Sequence, residues 1–272
     1  IANYVNESPP FAKICDISDY IKPVNTLNAI DQFRLGIKET VEYGTMNRLD
    51  DCDFLGRLLV LRLVSCSEAY FRRILSDTLR LCPMARSHAS EKQINLGGLL
   101  WHGKERYSLS AFDNTSFSSS KELKSGSLGY VKFQLEDAIF KSLLIEYDRV
   151  CNIRHSIIHA DGIVPGRNAV LLGIPPIDGQ VEIVIKYDEI QEAASVVSTL
   201  VATYNRELFA VLCERWAIGW RKRPEWKTED EDKLFIAIWG SFFSRIDHSI
   251  RPGRSKITRS ACMAAVKAEF GI

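Results

Sequence analysis

Apolar positions recur every three to four residues over long stretches of this chain, the spacing of helices that bury one face. Leu27, Ile30, Phe33, Ile37 and Val41 keep that spacing between Thr26 and Tyr43, and Gly44 can end the helix. The next segment carries the strongest signal: apolar residues from Phe54 to Leu79, interrupted by Arg57, Arg62, Glu68, Arg72, Arg73 and Asp77. Asp50 or Asp51 can cap its start, and Pro83 stops it. About 28 helical residues span roughly 40 Å, which suits a long antiparallel helix of a bundle. A second long helix is predicted from about Val131 to Ala160, ending at Asp161-Gly162, and a third from about Glu189 to Trp216, behind Asp188.

The segments between are different. Residues 103–129 are rich in Ser, Gly and Asn and read as a long loop. Ala169–Ile174 and the alternating Val181–Tyr187 read as short strands, joined by a turn at Pro175-Pro176-Ile177-Asp178-Gly179. The expected fold is therefore mainly α, a helical bundle with a small β-hairpin insert between the second long helix and the last core helix. The expected division is an N-terminal arm at 1–25, a helical domain at 26–216, and a basic, Trp-containing helical tail at 217–272.

With 272 residues, 46% apolar and 25% charged, the chain is not disordered, collagen-like or a disulfide scaffold. The longest uncharged run, Ala193–Asn205, is too short for a membrane span, and Ile1-Ala2-Asn3-Tyr4 does not open like a signal peptide. Seven cysteines without a CxxC pair suggest free thiols and a cytoplasmic location. The net charge of +1 gives no global argument for a polyanionic partner, but from Trp216 onward 11 basic side chains face 7 acidic ones. There Trp220 and Trp226 lie among Arg221, Lys222 and Arg223, a mixture that can stack on and neutralise single-stranded RNA, or else bury its Trp residues in an interdomain contact. Arg251, Arg254, Lys256 and Arg259 form a second basic run.

The most informative segment is Asn152-Ile153-Arg154-His155-Ser156-Ile157-Ile158-His159-Ala160-Asp161-Gly162. Residues four apart share a helix face, so His155 and His159 lie together, with Arg154 reaching from the side. Cys151, His155 and His159 also share a face, but across about 12 Å of straight helix, too far for one metal ion, so no metal is expected. In isolation, Arg154 and His159 could equally be a solvated helix end, and Glu68 with Arg72 a plain surface ion pair.

This stretch resembles the Rx4–6H motif of the HEPN superfamily, in its Arg-x4-His form, carried near the end of a long helix with a polar residue after the Arg. Glu68-Ala69-Tyr70-Phe71-Arg72-Arg73 is similar to that family's E-x3-[KR]-[KR] pattern on an earlier helix. The resemblance covers about residues 26–216, and the predicted hairpin and final helix fit the RiboL-PSP/MAE-like branch. It implies a metal-independent endoribonuclease without cofactor, in which the RNA 2′-OH attacks the adjacent phosphate. Arg154 and His159, helped by His155, would carry the chemistry, and Glu68, Arg72 and Arg73 would support them. It further implies a homodimer with a composite site, in a toxin or antiviral defence setting with a possible antitoxin or regulatory partner. The alternative is a non-catalytic HEPN-like module that binds RNA, a nucleotide or a protein.

Overall fold

The structure, a computed structural model, describes residues 13–14, 16–23, 27–249 and 257–272. Most of the expected arm, including Pro9, Pro10 and Cys15, and the basic positions Arg251, Arg254 and Lys256 lie outside the described residues. Thirteen α-helices are found among the described residues. Asn28 caps α1 (Ala29–Tyr43) by accepting from the Asp31 N–H at 3.0 Å. After α2 (Met46–Asp51), α3 (Asp53–Leu81) runs 29 residues and stops where Pro83 opens α4 (Pro83–His88).

Residues 103–129 are more ordered than a loop. They follow α5 (Leu96–His102) and hold α6 (Tyr107–Ser110) and most of α7 (Ser120–Val131). The Ser119 hydroxyl accepts from the Glu122 N–H at 3.2 Å and donates to the Glu122 carboxylate at 3.1 Å, which caps α7 despite its Ser and Gly content. Lys132, left-handed at φ 52°, then turns the chain. The second long helix, α8 (Asp137–Ala160), therefore begins six residues later than its apolar spacing suggested.

The β-hairpin does not form. Gly166–Leu172 is helix α9, ended by left-handed Gly173, so the Ala169–Ile174 strand is replaced by helix. Residues 181–185 are extended but pair with the chain just after α8: Ile183 N–H donates to the Gly162 carbonyl at 2.8 Å, and Val164 N–H to the Val181 carbonyl at 2.8 Å. One isolated antiparallel bridge, Ile163–Glu182, is the extent of β structure among the described residues. Short apolar runs do not distinguish strand from buried helix by spacing, and here the flanking Pro165 and Gly173 favour a helix.

The last long helix, α10 (Tyr187–Glu214), continues into a π-helical turn, Arg215–Gly219. By length and composition the run Tyr187–Lys222 is apolar enough to cross a membrane, although it carries charged residues that the uncharged run Ala193–Asn205 within it lacks. Its inner side, Ile190, Val197, Leu200, Val201, Tyr204 and Leu208, is buried, and α10 packs on α3 and α8. Phe71 of α3 meets Tyr204 at 5.1 Å and Tyr147 of α8 at 6.2 Å, edge to face. Both phenols are satisfied: Tyr204 with Ser127 at 2.7 Å, and Tyr147 donating to the Phe117 carbonyl at 2.8 Å.

The tail shares this core. Phe235, Ile238 and Phe242 of α11 (Glu231–Phe242) are buried in the same cluster as α3 and α10. Asn28 donates to the carbonyls of Gly240 and Phe243 at 3.0 and 2.8 Å, and Asp31 accepts from the Ser244 hydroxyl at 2.7 Å. Arg34 pairs with Asp247 of α12 (Arg245–Ser249) at 2.9 Å, while α13 (Arg259–Phe270) packs against α10, α11 and the π-helical turn.

Candidate functional site

Helix α8 turns Phe140, Leu144, Tyr147, Val150 and Cys151 into the core, which leaves His155, Ile158 and His159 exposed near its C-terminus. The imidazoles of His155 and His159 lie with ring centroids 4.4 Å apart and planes inclined by 48°. Arg154 is half-buried beside them. No hydrogen bond or ion pair holds Arg154, His155, His159 or Arg167 among the described residues, so their donors are free for a ligand.

His155 is held below the ordinary imidazole range. Partial burial is the largest cause, followed by the positive charges of His159, Arg154 and Arg167. Arg167 thus joins the cluster from α9, and all four groups are basic. Such a concentration of like charge favours an anion.

Two features of the chain fix this end of α8. The side chain of Asn168, only 4% exposed, donates to the Asn152 carbonyl at 3.1 Å and the Ser156 hydroxyl at 3.0 Å. It docks α9 on the face next to the histidines and leaves Arg167 exposed. On the other side, Arg57 of α3 donates to the Asp161 carbonyl at 3.3 Å and pairs with Glu182. Asp161 ends the helix left-handed at φ 51°, and the Gly162 N–H donates back to the Ser156 carbonyl at 3.2 Å. Glycine is required at 162: its φ is +92°, and a Cβ there would lie 2.5 Å from Arg57 Nη1. At Gly56, a Cβ would meet the Ile185 carbonyl at 2.2 Å, so the extended segment lies directly on α3.

The expected supporting residues act elsewhere. Glu68 is buried and accepts from the Phe117 N–H at 3.2 Å and the Ser116 hydroxyl at 3.3 Å. Arg72 donates to the Thr115 carbonyl at 2.9 Å and pairs with Glu68 at 3.5 Å. Together they tie residues 115–117 to α3 and make no hydrogen bond or ion pair to Arg154. Arg73 pairs with Asp77 at 3.5 Å, one turn further along α3.

The aromatic and basic stretch is also placed differently from a stacking surface. Trp220 is 2% exposed, so no base can lie on it; the end of α10 needs it as core. Arg221 sits 4.9 Å from the half-buried Trp226 ring and 5.4 Å from buried Trp216, and pairs with Glu231. Arg223 pairs with Glu225 at 2.7 Å. Lys222 alone of these basic residues is exposed and unpaired among the described residues.

Among the described residues, no group of three or more His, Cys, Asp and Glu side chains is placed to hold a metal ion. Cys151 faces the core, where burial pushes its thiol up to about 12. No local signal in the sequence marks Arg57, Arg167 and Asn168 as site residues, because only the folded chain brings Arg57 to the end of α8, and Arg167 and Asn168 lie just before the expected Ala169–Ile174 strand, in what proves to be helix α9. Compared with family models, with curated proteins and with solved structures, the chain finds no match in any of the three.

Proposed function

We propose that this chain is a metal-independent HEPN-type endoribonuclease. The observation that carries the reading is the exposed end of α8, where two imidazoles 4.4 Å apart stand with Arg154 and no acidic partner. RNA supplies its own nucleophile, so the protein has only to move protons and to meet charge on phosphorus. Imidazoles titrate in the range where proton transfer near neutral pH is efficient. His155, held toward its neutral form, is suited to accept the 2′-OH proton, and His159 to deliver one to the leaving 5′-oxygen. Arg154 opposes the growing phosphorane charge through a charge-assisted fork. The products are a 2′,3′-cyclic phosphate and a 5′-OH.

The active form in this reading is a homodimer with a composite site. One α8 end offers little beyond two rings and one guanidinium, and a two-fold contact is the commonest way to pool two such sets. The exposed Ile158, Val170 and Leu171 beside the histidines give that contact an apolar rim. A toxin or antiviral defence role, with a partner that restrains it, follows the same resemblance.

Substitution tests the assignment. His159→Ala should lower cleavage about 10²- to 10⁴-fold, and Arg154→Ala about 10²- to 10³-fold. His155→Ala should cost less than His159→Ala. Variants that fold and retain full activity would overturn it, and wild-type protein that binds RNA without cleaving any substrate tried would favour the non-catalytic module.

A further inference from the structure

A second cluster of basic side chains lies away from the end of α8. Arg73 and Arg80 of α3, with Arg106 from the Lys104–Arg106 turn, line a cleft of about 260 Å³. Its carboxylates are Asp77 and Glu105, so three guanidinium groups face two acids. Asp77, with a side chain 13% exposed, is shared between Arg73 and Arg80 at 3.5 Å each. That arrangement orients both guanidinium groups and leaves most of their donors unused. The Arg106 side chain is exposed and makes no ion pair or hydrogen bond among the described residues. Below them, the hydroxyls of Ser76 and Ser108 meet at 2.9 Å and tie α6 to α3.

Next to this cleft the chain exposes its most accessible large aromatic side chain among the described residues. Trp101 is 85% exposed in the last turn of α5, which packs against α6 and the Lys104–Arg106 turn. Only Gly103, left-handed at φ +71°, separates α5 from Lys104 and the unpaired Arg106. An open indole on the helix that leads into the exposed Lys104 and Arg106 can stack a base while neighbouring phosphates are neutralised.

We propose that this surface binds a single strand of RNA, with phosphates at Arg73, Arg80 and Arg106 and a base on Trp101. It would hold the strand apart from the histidines and take the stacking role that the buried Trp220 cannot. The choice of RNA rests on the ribonuclease reading; the binding does not, because neither stacking nor phosphate contact needs the 2′-OH.

Binding of the full chain to a fluorescent, uncleavable 2′-O-methyl uridine twelve-mer, followed by anisotropy, separates the two. Arg106→Glu should weaken binding roughly tenfold and reduce the salt dependence by about one phosphate contact. Trp101→Ala should weaken it at least about fivefold. Lys222→Glu, in the tail, should change it by less than about twofold if the cleft is the main site. Both side chains are exposed and leave the core untouched. Unchanged affinity in both the Arg106 and Trp101 variants overturns the proposal even if RNA is cleaved, and the expected losses support it even if no RNA is. Uridine monophosphate that binds and is sensitive to Arg106→Glu, without competing with the twelve-mer, would mark a mononucleotide site and overturn the strand reading. A loss at Trp101 alone, without salt dependence, would mark an apolar protein contact and overturn it as well.

Discussion

Arg57 holds the end of the helix that carries Arg154 and His159, through a hydrogen bond to the carbonyl of Asp161, 104 residues away in the chain. The contact satisfies a carbonyl that a helix end leaves without a partner and places a cation where the helix dipole favours one. In this position Arg57 occupies space that a side chain at Gly162 would need.

Gly162→Ala should therefore destabilise the fold by about 1–2 kcal/mol, the cost of a left-handed non-glycine residue, with the steric conflict at Arg57 added. Urea unfolding of wild type and variant measures it. An unchanged midpoint would mean that Arg57 moves aside freely and does not fix the helix end.

Asn168→Ala should cost about 1 kcal/mol, because the buried Ser156 hydroxyl loses its donor while the part-buried Asn152 carbonyl keeps the Ser156 hydroxyl. The effect should be local to α9, so amide exchange there should quicken before that of the α3 core does. Uniform loss of protection across α3 and α10 would contradict a local strut.

His155 should titrate below the ordinary imidazole value near 6.5. Removing a positive neighbour relieves the protonated form, so His159→Ala and Arg167→Ala should each move His155 upward, while burial keeps it from full recovery. NMR titration of the imidazole carbons tests this. An upward shift in neither variant would remove Arg167 from the site.

The protein should be a dimer at tens of micromolar by light scattering, and Ile158→Asp with Leu171→Asp should reduce it to monomer. Both positions are exposed, so the monomer should keep its fold. A wild-type monomer with full activity would contradict a composite site.

Much of the α scaffold was legible in the chain. The C-terminal limit of α3 follows from Pro83, but its start does not follow from the expected cap: Asp50 and Asp51 lie within α2, and Cys52 precedes α3 without a side-chain capping hydrogen bond. Other boundaries failed for identifiable reasons. Phe133 and Leu135 continue the apolar spacing of α8, and the left-handed turn before them uses Lys132, which carries none of the usual turn chemistry. Helix α7 was hidden by its Ser and Gly content, although Ser119 and Glu122 have the spacing of a capping box.

The site was legible only along one helix. His155 and His159 came together because four residues make about one turn, a local relation. For Trp220 the sequence left a stacking face and a buried contact equally open, because aromatic residues interleaved with cations look alike whether they face solvent or core. Only the π-helical end of α10 and its packing against α11 decide it.

The most direct measurement is end-group analysis of RNA incubated with the protein in EDTA, using tRNA and total RNA. The expected fragments carry a 2′,3′-cyclic phosphate and a 5′-OH, and a substrate with 2′-deoxy at the scissile position should resist. Fragments with a 5′-phosphate, or cleavage that EDTA abolishes, would contradict a mechanism in which Arg154 and His159 act without metal.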